Sequence, residues 1–187
     1  MKTIALNLAL AGCLLAVCQG VIVPGPCPTV TLQQDFVLDQ YLGTWYQAQA
    51  FPNPAEIGKC DSSVYTDNGD GTFSIVQTSV DPNTAETTTV VGTGIQNSAT
   101  NEGQLQVTYP DISANPLDLL ILGTDYEGFA VTFRCGEQGG QSAQDAWILT
   151  RDREPSAAVV EAALAVAASN GLDTSLFVVT DQTNCPA

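Results

Sequence analysis

The chain has 187 residues, of which 20 are acidic and 5 are basic, so its net charge near pH 7 is −15. A surface this negative repels nucleic acid, heparin-like polymers and anionic lipid, so we expect none of them as partners. The sequence contains no histidine, which excludes Ser-His-Asp and Cys-His catalysis and a histidine-ligated haem.

The first 20 residues have the features of a secretory signal. Lys2 supplies a basic start, residues 4–17 form an apolar run, and residues 18–20 supply a small-residue end. The run is too short to span a bilayer, and no later stretch approaches the required length. We therefore expect cleavage close to Gly20, secretion, no membrane span, and a single mature domain over residues 21–187.

An N-terminal arm follows the signal, and its prolines between residues 21 and 30 predict an extended chain. After the signal, four cysteines remain: Cys27, Cys60, Cys135 and Cys185. An even number in a secreted chain indicates two disulfides, for which three pairings are possible. Because no Cys-x-x-Cys motif occurs, we expect neither a zinc site nor a redox site.

The motif at residues 41–46 leads into the first predicted strand, which covers residues 45–51. Gly43 permits a tight backbone turn into the strand, and Trp45 supplies a large apolar side chain near its start. The side chains then alternate, and one face of the strand carries Trp45, Gln47, Gln49 and Phe51. Arg151, a scarce cation at the end of a later predicted strand, is expected to cover the Trp45 indole and close one end of a barrel.

After residue 59 the sequence alternates segments rich in β-branched residues with turns. The further predicted strands cover residues 60–66, 72–80, 86–95, 104–109, 117–122, 129–135 and 145–151. Together with the first strand they make eight, and short strands with regular turns indicate a sandwich or an up-and-down barrel. The turn at residues 67–71 lacks the spacing of a calcium loop, because glycines stand at ligand positions.

One helix is predicted after the eighth strand. It begins at Pro155 and ends before Asn170-Gly171, and a short strand over residues 176–180 follows it. Apolar residues form one stripe along this helix: Val159, Val160, Ala163, Leu164 and Ala167. That stripe must pack against the outer face of the sheet.

The strand over residues 129–135 has two interpretations. Its large side chains either line the interior or face the helix: Phe129, Val131 and Phe133. We favour the helix-facing arrangement, because the apolar stripe of the helix needs a partner. Ala130 and Thr132 would then point inward.

Three sequence blocks resemble the lipocalin family and occur in the family's order. They are Gly43-Thr44-Trp45, Thr124-Asp125-Tyr126, and Arg151 after Ala146-Trp147-Ile148-Leu149. The chain is most similar to the apolipoprotein D branch, which its tail over residues 179–186 also resembles, and to the carotenoid-binding crustacyanin branch. The resemblance implies an all-β fold: an eight-stranded antiparallel up-and-down barrel with one C-terminal α-helix packed outside and a cavity within. The block at residues 124–126 would be a structural turn at the closed end.

The resemblance also implies roles for individual residues. It implies two disulfides, Cys27–Cys135 and Cys60–Cys185. Tyr65 and Leu119 correspond to cavity positions of the apolipoprotein D branch, although Leu119 replaces an aromatic residue there. Some lipocalins are enzymes that use a free cavity cysteine. Because disulfides would use all four mature cysteines here, we expect no enzymatic activity.

Strand alternation and the resemblance together predict seven ligand contacts. They are Gln47, Gln49, Phe51, Tyr65, Leu119, Trp147 and Leu149. Trp147 and Leu149 belong to this set because they share the strand face of Arg151, which must point inward to cover Trp45.

The sequence thus predicts a secreted carrier of a small neutral hydrophobic molecule, with no required cofactor or metal. A carotenoid, a retinoid, a sterol or a bilin would fit, and the crustacyanin resemblance puts a carotenoid first. A fatty acid is disfavoured, because among the cations we expect only Arg134 to turn inward toward its carboxylate. The alternatives are a fatty-acid carrier and an interaction or defence protein whose own side chains fill the cavity. A homo- or hetero-oligomer is compatible with either function.

Overall fold

The computed structural model describes residues 20–54, 56, 58–97, 101–113 and 115–186. The predicted secretory signal lies outside these residues, apart from Gly20. The strands are β1 (Val21–Pro24), β2 (Gly43–Ala50), β3 (Lys59–Asp67), β4 (Phe73–Val80), β5 (Thr87–Gln96), β6 (Gln104–Thr108), β7 (Leu117–Thr124), β8 (Phe129–Gln138), β9 (Gln141–Thr150) and β10 (Val178–Val179). The helices are α1 (Leu38–Tyr41) and α2 (Ala157–Ser169).

Strands β2 to β9 form a closed antiparallel barrel of eight strands. Each strand pairs with the next along the chain, and β9 closes the barrel by pairing with β2. Strand β1 adds to β9, and β10 adds to β2. Closure leaves the eight barrel strands without a free edge. The predicted fold class is therefore confirmed.

The β8–β9 hairpin is longer than the sequence pattern predicted. It is joined by Gly139 and Gly140, whose φ angles are 61° and 81°. A two-residue turn with positive φ at both positions matches the twist of the flanking strands, so the ladder continues up to the turn. The arm was expected to be extended, and its residues 21–24 also pair with the outer part of this hairpin.

Two apolar cores lie on opposite sides of the barrel wall. The inner core surrounds Trp45, and the outer core lies between the wall and α2. Val131 and Phe133 are buried with Ala163 of α2 in the outer core, while Ala130 belongs to the inner one. The helix-facing arrangement of β8 is therefore confirmed. None of the helices in the described part of the chain has the length and apolar character of a membrane span.

Arg151 closes one end of the barrel. Its guanidinium carbon lies 3.7 Å from the centre of the Trp45 indole. Its nitrogens donate to the backbone oxygens of Tyr126 at 2.9 Å, Thr44 at 2.8 Å and Gln40 at 3.0 Å. The expected cation–π pair is thus present, and hydrogen bonds to the main chain hold the guanidinium in place.

Residues 124–126 form a turn beside Arg151. The Thr124 hydroxyl donates to the Phe129 carbonyl oxygen at 2.7 Å, and Asp125 Oδ1 accepts from the Phe129 N–H at 2.8 Å. Tyr126 has a φ of 66° and presents its carbonyl to the guanidinium. These bonds fix the backbone at the closed end, which is the structural role that the resemblance implies.

Two disulfides fasten the chain termini to the barrel. Cys27 is bonded to Cys135 and ties the arm to β8, and Cys60 is bonded to Cys185 and ties the tail to β3. This pairing is the one that the resemblance implies. The bridges join residues 108 and 125 positions apart, so each constrains a long segment of the unfolded chain.

The C-terminal tail completes the wall where β2 and β3 separate. Their pairing ends at Tyr46 and Ser62. Beyond that point Gln182 Nε2 donates to the backbone oxygens of Gln47 at 3.0 Å and Asp61 at 2.9 Å. The tail therefore bridges the two strands with hydrogen bonds that the sheet itself does not supply.

Candidate ligand-binding cavity

A cavity of about 340 Å³ lies inside the barrel, on the side away from Arg151. It reaches the loops that join β2 to β3, β4 to β5 and β6 to β7, through residues such as Glu56, Pro82 and Ile112. Ligand pockets commonly have volumes of about 300–1,000 Å³. The cavity is therefore large enough for a small ligand and lies at the lower end of that range.

Most of the predicted contacts lie in the cavity wall. The lining includes Gln47, Tyr65, Leu119, Trp147 and Leu149. Gln47 is less available than expected for a hydrogen bond to a ligand, because its Nε2 donates to the Thr180 hydroxyl at 2.8 Å. Tyr65, Trp147 and the two leucines offer the cavity flat or apolar surfaces.

Gln49 and Phe51 do not lie in the cavity wall, which corrects the prediction from strand alternation. The β2–β9 ladder has a bulge between Gln47 and Gln49, and an extra residue reverses which side chains face inward. Gln49 is thus opposite Ile148, which belongs to the outer core. Phe51 packs in the same core, with its ring centre 4.7 Å from that of Phe177.

Sequence reasoning missed much of the wall formed by β4 to β7. These strands and loops contribute Gln77, Thr88, Val90, Val107, Tyr109 and Leu117 to the lining. The segment resembles the family only in strand pattern, so no motif marked these residues. Alternation along β4 and β5 would have found Gln77 and Val90. Tyr109 follows the end of β6, and alternation from Leu105 and Val107 would also have placed it on the inner face.

The single arginine in the described lining is matched by a buried carboxylate. Arg134 Nη2 lies 2.6 Å from Asp145 Oδ2, and Nε donates to the same oxygen at 3.1 Å. The two residues are directly opposite each other in the β8–β9 ladder. Asp145 Oδ1 also accepts from Asn53 Nδ2 at 2.9 Å. The positive charge of Arg134 in the cavity lining is therefore balanced by the carboxylate of Asp145.

Further carboxylates stand around the cavity mouth. The lining includes Glu56, Asp61, Asp81 and Asp118. Glu56 belongs to an exposed loop, but its Oε2 accepts from Trp147 Nε1 at 2.8 Å. Desolvation raises the pKa of the Glu56 and Asp61 carboxyls, although hydrogen bonds from Trp147 and Ser79 oppose the effect. A ligand approaching the mouth meets a mostly negative surface.

Within the described residues, no group of three or more acidic or cysteine side chains is arranged to hold a metal ion. The four cysteines in the described part of the chain are all in disulfides. The cavity lining offers hydrogen-bonding and apolar groups.

Comparisons with known proteins agree with this arrangement. The family model of the lipocalin / cytosolic fatty-acid binding protein family matches residues 42–184. The chain is a lipocalin. This lipocalin is 30% identical to apolipoprotein D from Oryctolagus cuniculus over 180 residues, which are 95% of this chain and 94% of that protein.

Solved structures extend the comparison to the whole barrel. Lobster apocrustacyanin A1 superposes with a TM-score of 0.76 at 28% identity, covering 88% of this chain and 93% of that one. Insecticyanin from the tobacco hornworm Manduca sexta superposes with a TM-score of 0.77 at 24% identity, covering 87% and 89%. Lipocalins bind small hydrophobic ligands, and the cavity lies where such a ligand would be enclosed.

Proposed function

We propose that this lipocalin is a secreted carrier that encloses one small, neutral, hydrophobic ligand in its barrel cavity. The observation that carries the proposal is the balance of charge in the lining. Arg134 faces Asp145 at 2.6 Å, while Glu56, Asp61 and other carboxylates stand at the mouth. A neutral molecule can enter this site without displacing a charged partner.

An anionic ligand would meet two obstacles. A buried carboxylate needs a cation or several hydrogen-bond donors to offset its lost hydration. Here it would have to compete with Asp145 for Arg134, after passing a mouth of like charge. The alternative of a fatty-acid carrier is therefore disfavoured.

The apolar part of the lining supports a flat or elongated ligand. Trp147 and Tyr65 offer ring faces, and Leu119 and Leu149 offer aliphatic surface beside them. A carotenoid, a retinoid, a sterol or a bilin has such a shape, and the likeness to crustacyanins favours a carotenoid. With about 340 Å³ available, a carotenoid would place one end in the cavity and leave the other outside.

Secretion is part of the proposal. It is supported by the signal-like start of the sequence, by two disulfides and by the similarity to apolipoprotein D. Expression in a eukaryotic host should release a protein into the medium whose N-terminal sequence begins close to Val21.

Competition binding tests the choice of ligand. Mature recombinant protein would be titrated near pH 7 with astaxanthin, cholesterol and oleate. We expect at least one neutral ligand to bind more tightly than oleate. Equal or tighter binding of oleate would contradict the charge argument, and failure of all neutral ligands would favour the alternative of an interaction protein.

A further inference from the structure

The sequence contains two Asn-Gly pairs, Asn68-Gly69 and Asn170-Gly171. In such a pair the backbone nitrogen of the glycine can attack the side-chain amide of the asparagine, because glycine has no Cβ to hinder the approach. The asparagine is then converted to aspartate or isoaspartate, which is a covalent change of charge and of backbone. The fold decides whether a pair reacts, and it holds these two pairs differently.

Asn68-Gly69 lies in the exposed loop that joins β3 to β4. The Asn68 side chain makes a single hydrogen bond to the described residues, from its Nδ2 to the Thr72 hydroxyl at 2.8 Å. A Cβ added to Gly69 would meet nothing within 4 Å. The amide carbon is therefore lightly held, and there is open space in which a ring can close.

The Asp67 carboxylate lies beside the attacking nitrogen. Its Oδ1 accepts from the Gly69 N–H at 2.9 Å, which is the distance required of a group that takes up a proton. The β3–β4 pairing ends at Asp67 and Phe73, so the Gly69 N–H lies outside the sheet ladder. The nitrogen that must attack thus has its hydrogen directed at a carboxylate.

Asn170-Gly171 is held much more firmly at the end of α2. Asn170 Oδ1 accepts from the Thr31 N–H at 2.7 Å, and its Nδ2 donates to the Val166 carbonyl oxygen at 3.0 Å. The Gly171 N–H donates to the Ala168 carbonyl oxygen at 3.0 Å. Ring closure would break all three hydrogen bonds and disrupt the helix end. This pair is therefore protected and serves as an internal control.

We propose that Asn68 is a site of spontaneous deamidation in which the Asp67 carboxylate accepts the proton of the attacking nitrogen. A bond forms between Gly69 N and Asn68 Cγ, and the Gly69 N–H proton passes to Asp67. The Cγ–Nδ2 bond then breaks, and the departing nitrogen takes up that proton and leaves as ammonia. Water opens the resulting cyclic imide at either of its carbonyl groups, which gives aspartate or isoaspartate.

The modified loop lies at the closed end of the barrel, opposite the loops that the cavity reaches. Deamidation removes the Nδ2 donor to Thr72 and adds a negative charge next to Asp67. Isoaspartate also lengthens the backbone between the last ladder residues. One of them, Phe73, is fully buried, with its ring centre 5.8 Å from that of Tyr65. The change should therefore destabilise the inner core and leave the cavity mouth unaltered.

Ageing of the purified mature protein tests this site. The protein would be incubated at mildly alkaline pH and sampled over time by peptide mapping with mass spectrometry. We expect the peptide that contains Asn68 to gain the mass difference between an amide and an acid, with isoaspartate detected by an isoaspartyl methyltransferase. The peptide that contains Asn170 should keep its mass. The aged protein should melt at a lower temperature than the fresh protein.

Two variants separate the chemistry from the change of charge. Asp67→Asn keeps a side-chain oxygen that can accept from the Gly69 N–H but lacks the carboxylate, so it should slow the conversion of Asn68. Asn68→Asp carries the charge of the product on an ordinary backbone and should gain no mass at this position. If aged wild type melts below Asn68→Asp, the lengthened backbone causes the loss of stability.

Several outcomes would contradict the proposal. An unchanged mass of the Asn68 peptide after prolonged ageing would overturn it, and so would equal conversion of Asn68 and Asn170. Equal rates in the wild type and in Asp67→Asn would overturn the role of Asp67 as proton acceptor. Because the loop is remote from the mouth, each of these results leaves the proposed carrier function standing.

Discussion

Both ends of the barrel contain an arginine, but the two guanidinium groups have different partners. At the closed end Arg151 donates to backbone oxygens and stacks on Trp45. At the open end Arg134 pairs with the side chain of Asp145. Backbone partners are present whatever the side chains are, whereas a side-chain partner can be exchanged or lost. The Arg151 contacts thus fix the backbone at the closed end. The Arg134–Asp145 pair instead determines the net charge that this arginine presents at the open end.

The two ends of the barrel also differ in the bonds that hold the wall together. The closed end is held by hydrogen bonds and aromatic contacts among residues such as Tyr41 and Tyr126. Toward the open end β2 and β3 separate, and the tail that fills the gap is anchored by Cys60–Cys185. The part of the wall where the β2–β3 ladder ends therefore depends on a disulfide.

The largest expected effect comes from removing that anchor. Replacing Cys60 and Cys185 together by serine should lower the free energy of unfolding by about 4–5 kcal/mol, since the bridge closes a long loop. Urea denaturation of the wild type and the double variant would measure the change. If the two midpoints coincide, hydrogen bonds from Gln182 alone hold the tail, and the open end does not depend on its disulfide.

Arg151→Ala should produce the next largest effect. Loss of the cation–π contact and of the packed side-chain stem should cost on the order of 1–3 kcal/mol, without changing which ligand binds. Thermal melting and ligand titration would be measured on the same preparation. An unchanged melting temperature together with abolished binding would show that the closed end acts on the ligand, contrary to the division described above.

The smallest expected effect concerns the choice of ligand. Asp145→Asn should remove the carboxylate partner of Arg134 and raise the affinity for oleate on the order of tenfold, because the arginine can then pair with the ligand carboxylate. Asp118→Asn is the matched control. It removes the same charge from the cavity wall but leaves the Arg134–Asp145 pair in place. Equal gains in both variants would mean that total charge, rather than pairing, excludes fatty acids.

The sequence by itself determined the closed end. Trp45 and Arg151 stand in recognisable motifs. Because cations are scarce in this chain, few other residues could have been the cation that covers the Trp45 indole. The β-branched segments and their turns likewise predicted every barrel strand, because strand preference and turn chemistry are local properties. The disulfide pairing came from the resemblance, since spacing alone allows three pairings.

Only the tertiary structure decided the composition of the cavity wall. Gln49 and Phe51 face outward because a bulge in the β2–β9 ladder reverses the alternation of side chains. No residue type in β2 predicts that bulge. Arg134 is neutralised because the β8–β9 register places it opposite Asp145. Tyr109 reaches the cavity because Gly92, on the neighbouring strand β5, leaves space for its ring. Each outcome depends on how distant segments pair, which local sequence preferences do not specify.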